Sequence, residues 1–97
     1  MNVYSFVWDD DKNIQNIRKH GVTFIEASSV FADVNAIILY DYAHSQDEER
    51  FVVIGYSKEM RLLYVCHCYQ ENDSVVRIIS ARKAGRYETE LYEEGEL

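Results

Sequence analysis

Three apolar, β-branched runs crowd the second half of the chain: "RFVVIGYS", "RLLYVCHCYQ" and "SVVRIISARKA", parted only by "KEM" and "END". A parallel crossover needs a dozen or more residues, so connections this short leave an antiparallel meander as the arrangement open to them. The rest of the chain must then cover that sheet. A chain of 97 residues buries roughly 60–65 % of its unfolded surface, enough for one modest core. A single domain over 1–97 is therefore expected. No proline interrupts any of these runs.

The segments upstream of the meander supply the covering layer. "YSFVWDDD" reads as a short strand whose aspartates offer a cap to the next helix. "DKNIQNIRKHG" follows as a helix with Ile14 and Ile17 on one face, Lys19 and His20 in its last turn, and Gly21 as its stop. In "VTFIEASSVFAD", Thr23 and Glu26 form a candidate capping box, Val22 and Ala27 stand where a hydrophobic staple would, and Phe24, Ala27, Val30 and Phe31 make an apolar stripe. "AIILYD" is a strand and "YAHSQDEE" a polar loop. "GRYETELYEEGEL" closes as a short helix. The order β-α-α-β-β-β-β-α predicts an α+β fold with helices packed on one mainly antiparallel sheet.

Several chemistries find no support. The four glycines are isolated, so no phosphate-cradling or dinucleotide loop can be built from them. Cys66 and Cys68 share one side of a strand while His67 points to the other, and no second cysteine pair exists to complete a zinc site. Reduced, buried thiols in a cytoplasmic protein are the expectation, with no metal and no cofactor. The longest apolar run, Ala36 to Tyr40, is far too short to span a bilayer. The start "MNVYSFVWDDDK" has no basic segment leading into an apolar one, so no signal peptide is read.

The formal net charge of -7 is mostly a property of the end of the chain. Up to Tyr87 there are twelve acids against ten bases, whereas Glu88 to Leu97 holds five glutamates and no base. A basic patch on the body therefore remains compatible with the acidic total. The bases fall at Arg18-Lys19-His20, at Arg50, and from Arg77 to Arg86. Arginine forks suit phosphate, and histidine moves protons near neutrality. Plain ion pairing is the simpler account of Arg77, dipole complementation that of Lys19 and His20, and solvation that of His44. Arg77 and Arg82 are five residues apart, so a regular strand would send them to opposite faces unless a bulge or the strand end intervenes.

Three motifs in order, "N-x-x-KHGV-x-F-x-EA", "H-x-x-x-EER" and "R-I-I-S-ARKA", resemble the BrnT toxin family over about Phe6 to Glu94. The resemblance implies a RelE-like fold and the toxin half of a type II toxin–antitoxin pair. It implies a metal-independent endoribonuclease that cuts RNA and inhibits translation. It also implies a BrnA-like ribbon-helix-helix antitoxin as partner in a hetero-oligomer, touching DNA only through that antitoxin. Glu88 and Tyr92 keep their places in the family pattern, and Arg86 is basic. On that footing His20, Arg50, Arg82 and Glu88 are the catalytic candidates. Lys19, Arg77, Lys83, Arg86 and Tyr92 are the RNA-binding candidates. A catalytically weak module that holds the antitoxin and tunes its grip on operator DNA is the alternative.

Overall fold

The computed structural model describes residues 4–95, so the last two residues of the predicted closing helix lie outside the described residues. Five strands and three helices follow the predicted order: β1 (Ser5–Val7), α1 (Asp10–His20), α2 (Phe24–Ser28), β2 (Ile37–Tyr40), β3 (Phe51–Tyr56), β4 (Leu62–Gln70), β5 (Val75–Lys83) and α3 (Arg86–Gly95). They form one sheet in the order β1-β5-β4-β3-β2. The β2–β5 pairings are all antiparallel, as the short connections require. β1 is the exception, lying parallel to β5 with Ser5 opposite Val75 and Val7 opposite Arg77.

The local signals for the helices work as expected at their starts. Asp9 caps α1 by accepting the Lys12 N–H at 3.1 Å, and Gly21 ends it in the left-handed region with φ 69°. Thr23 caps α2 by accepting the Glu26 N–H at 3.0 Å. The capping box is only half formed, because the Glu26 carboxylate turns away to accept from Arg61 Nε at 2.9 Å and Ser57 Oγ at 2.7 Å. The predicted second helix is also split. α2 tightens into a 3-10 turn over Ser29–Ala32, where Ser28 and Ser29 hydroxyls donate back to the carbonyls of Ile25 and Glu26.

One face of the sheet is the main core. Val53, Leu63, Val65, Val76, Ile78 and Ala81 pack against Val22, Phe24, Ala27 and Val30, all fully or almost fully buried. α1 does not join this packing in the predicted way. Ile14 and Ile17 stay 47 % and 40 % exposed, and the inward residue is Asn16, which is buried. β1 covers only the first part of β5, so the rest of that edge has unpaired backbone groups. Asn16 pairs them like a missing strand, donating to the Ala81 carbonyl at 2.8 Å and accepting the Ala81 N–H at 3.0 Å. It also donates to the Val22 carbonyl at 2.9 Å. A helix docked on a sheet edge needs an amide there, not an isoleucine.

Candidate active site

The second face of the sheet is where the chemistry-bearing residues gather, and a β-bulge is the reason. Cys66 pairs with Ser80 while its neighbour His67 pairs with Ile78, so Ile79 is the extra residue on β5. The insertion shifts the alternation by one. Arg77 before the bulge and Arg82 after it therefore face the same side, against the expectation for a regular strand. Cross-strand pairs lay out the floor in rows: Cys68 with Arg77, Cys66 with Ser80, and Tyr64 with Arg82. Rows on one face are about 7 Å apart. Arg50, just ahead of β3, keeps the parity of Val52 and joins the Cys68–Arg77 row.

One end of this face is closed by α3. Buried Tyr92 packs with Val52 and Ile54, and its hydroxyl donates to Asp33 Oδ2 at 2.8 Å. The same carboxylate oxygen accepts the Tyr56 N–H at 2.8 Å. The other end stays open. Its wall is the loop from Asp41 to Arg50, held at its base by Ser45, whose Oγ donates to the Asp41 carbonyl at 2.6 Å and accepts the Arg50 N–H at 3.0 Å.

Each arginine is met differently. Arg82 lies with its guanidinium carbon 4.0 Å from the Tyr64 ring centroid and donates to Glu88 Oε1 at 2.8 Å. Glu88 also accepts the Gly85 N–H at 2.6 Å, as a third-position glutamate does when it caps its own helix. The hydrogen bond from Arg82 leads the effects that hold the Glu88 carboxyl below its ordinary range. Arg77 and Arg50 share one carboxylate oxygen, Glu48 Oε1. Arg77 donates to it through a short bond, and Arg50 Nη2 lies 3.5 Å away. Arg50 Nε is buried and has no hydrogen-bond partner. Arg77, then burial working in the opposite sense, sets the lowered pKa of Glu48. Three guanidiniums thus face two carboxylates. Burial raises the pKa of Cys66, which sits between the two rows of arginine, so it is not an activated thiolate.

His44 shares a groove with Gln46, Asp47, Glu48 and Arg50. Its Nδ1 is 2.9 Å from Asp41 Oδ2, the kind of contact by which a carboxylate sets the orientation and tautomer of an imidazole. No group of three or more His, Cys, Asp or Glu residues is placed to hold a metal ion among the described residues. None of the described helices is long and apolar enough to cross a membrane.

A family model described as "Ribonuclease toxin, BrnT, of type II toxin-antitoxin system" matches residues 8–88. The chain belongs to the BrnT family. It is accordingly the ribonuclease toxin component of a type II toxin–antitoxin system, a class that works against an antitoxin partner. The fold agrees with that of a solved structure, the ribonuclease toxin BrnT of Brucella abortus. The two superpose with a TM-score of 0.66 at 22 % sequence identity, covering 87 % of this chain and all of that one. Comparison with curated protein sequences finds no match.

Within this BrnT chain the residues singled out from sequence fall into three places. Arg50, Arg77, Arg82 and Glu88 share the open face, Arg50 with Arg77 in one row and Arg82 with Glu88 two rows away. Lys19 and His20 lie instead along the far edge of β5, in a shallow groove with Lys12, Asn16, Ile79 and Ser80. Ser80 is the link between that groove and the arginine floor. Lys83 pairs with Leu63 and so shares the helix-side parity, while Arg86 is almost fully exposed on α3, 3.5 Å from Glu90. Tyr92 is only 3 % exposed, which makes it the anchor of α3 and keeps it from any surface contact. Sequence reasoning gave Glu48 and Asp41 no role and read His44 as solvated, as its 66 % exposed side chain is. The signal was present in "H-x-x-x-EER", which ties His44 and Glu48 to Arg50 across one short loop.

Proposed function

We propose that the open face of the sheet is where this toxin cleaves RNA, with Arg50, Arg77 and Arg82 as the groups that bind the phosphodiester. The observation that carries this is the bulge at Ile79, which turns Arg77 and Arg82 to the same face, two rows apart, with Arg50 in the row of Arg77. RNA carries its own nucleophile. The 2′-hydroxyl attacks the neighbouring phosphorus in line, the bond to the 5′-oxygen breaks, and the products are a 2′,3′-cyclic phosphate and a 5′-hydroxyl. One proton must leave the 2′-oxygen and one must reach the 5′-oxygen. Each assisted transfer is worth about 10²–10⁴-fold. Guanidinium groups held toward the phosphorane supply the electrostatic part, which is commonly the larger one.

His44, oriented by Asp41 and sharing the Arg50 groove, is the group best situated to move one of those protons. His20 and Lys19 serve a different purpose in this reading, guiding the flanking strand along the β5 edge. Loss of intact cellular RNA would stop translation, which is how a toxin of this kind arrests growth. A ribbon-helix-helix antitoxin of the BrnA type is the partner proposed to restrain it in the cytoplasm.

The test uses purified toxin and a single-stranded RNA labelled at one end, in chelator. Cleavage leaving 2′,3′-cyclic phosphate ends, abolished in Arg82→Ala and Arg50→Ala, is the expected result. Alanine at His44 should slow cleavage far more than alanine at His20. RNA left intact by the wild-type chain, or cut equally well by the arginine variants, would end this reading.

A further inference from the structure

We propose that Glu48 is a resident stand-in for the RNA phosphate, closing the Arg50–Arg77 seat until a substrate phosphodiester displaces it. The inference rests on the reading of this face as the RNA site. Among the described residues Glu48 is the one carboxylate shared by two arginines, and its paired oxygen is where a phosphate oxygen would have to sit to be gripped by both forks.

The two carboxylates of the face differ in how they are held. Glu88 has a side chain 17 % exposed and is pinned from two directions, by Arg82 and by the Gly85 N–H. Glu48 is 39 % exposed, and its side-chain partners among the described residues are Arg77 and Arg50 alone. It rides on the loop between Ser45 and Arg50. Because the Ser45 hydroxyl fixes both ends of that loop, residues 46–49 can swing out without moving Arg50. A half-exposed ion pair of this kind, without a further partner to pin it, exchanges more readily than the doubly held Glu88. With Glu48 in place the seat carries one net positive charge, and with Glu48 withdrawn it carries two. Arg50 Nε, buried without a partner, is a donor left over once Glu48 is seated.

The same position would suit a general base, and the chemistry decides between the roles. Arg77 and Arg50 both draw the Glu48 carboxyl below its ordinary pKa, leading with the Arg77 hydrogen bond. That makes it a poorer proton acceptor and a better counter-ion.

The experiment measures binding of a 2′-O-methyl oligoribonucleotide, which cannot be cleaved, to the full chain and to Glu48→Gln. Glu49→Gln is the matched control, since Glu49 removes the same charge one residue away and makes no ion pair among those of the described residues. Glu48→Gln is expected to bind about 3- to 10-fold more tightly at 50 mM salt. Its log-affinity should also fall more steeply with log salt, by about 0.7, the increment for one further phosphate charge on a single strand. Glu49→Gln should shift affinity less than 2-fold. On cleavable RNA the Glu48→Gln variant should match or exceed the wild type. A gain no larger than that of Glu49→Gln overturns the proposal while leaving the RNA site intact, provided Arg77→Ala still weakens binding. A cleavage rate reduced 100-fold or more also overturns it, and makes Glu48 the base. If neither wild type nor Glu48→Gln binds, the proposal falls together with the assignment of the face.

Discussion

The two faces of the sheet are made by alternate residues of the same strands, and they are held together by different means. Toward the helices, His67 is fully buried, paired with Phe51 and Ile78 across the strands, with its ring 4.9 Å from Phe31 and 5.0 Å from Tyr69. Toward the open side, the same strands raise Arg77, Arg82, Tyr64 and Cys66 over a floor that α3 covers at one end only. The first face is close-packed and tolerates no unpaired group cheaply. The second keeps its charges half-solvated and exchangeable. The difference teaches where damage should register: as lost stability on the helix side, as lost activity on the arginine side.

Four measurements would break or sharpen that contrast. The largest effect belongs to Arg77→Ala, which should reduce RNA cleavage by about 10²–10³-fold, the cost of removing one donor from a developing oxyanion. Its urea midpoint should barely move, because the pair it loses is half-exposed. A protein that unfolds instead would erase the distinction between the faces. Asn16→Ala comes next. It strands the Ala81 N–H and carbonyl on a buried edge, and should lower the unfolding free energy by about 3 kcal/mol.

His67 gives the third. Burial lowers its pKa to about 4, opposed only by its hydrogen bond to the Val65 carbonyl. The fold favours the neutral ring, so its share of stability is whole above about pH 6.5 and drains away as the pH falls toward 4. Between pH 7 and pH 5 the wild type should lose about 2 kcal/mol from this group. His67→Leu should flatten that part of the profile, and an unchanged slope would show that the ring is not what titrates. The smallest effect is that of Tyr92→Phe. It removes the hydroxyl bond to Asp33 and should cost about 1 kcal/mol, read as earlier hydrogen exchange in α3.

What could be read from the sequence was local. The meander followed from two short turns, and the helix starts from Asp9 and Thr23, because a cap or a tight connection involves neighbours only. The side to which Arg82 points could not be read, since the bulge at Ile79 exists only when β4 and β5 are paired. Asn16 was likewise invisible. Its partner Ala81 is remote in the chain, and periodicity points to Ile14 and Ile17 as the inward residues. Tyr92 was read as an RNA-binding candidate and is buried instead, because an aromatic in an acidic helix gives no sign of which sheet residues will receive it. His44 was read as solvated, and its side chain is 66 % exposed; what the residue by itself could not show is that Asp41 Oδ2 holds its ring.

The parallel pairing of β1 with the first residues of β5 joins Ser5 to Val75, segments far apart in the chain. During synthesis β1 must wait for its strand partner among the described residues, because β5 is polymerised far later in the chain. The arginine trio likewise has no geometry until residue 82 has been added. On a growing chain the proposed phosphate seat therefore cannot assemble before β5 is complete.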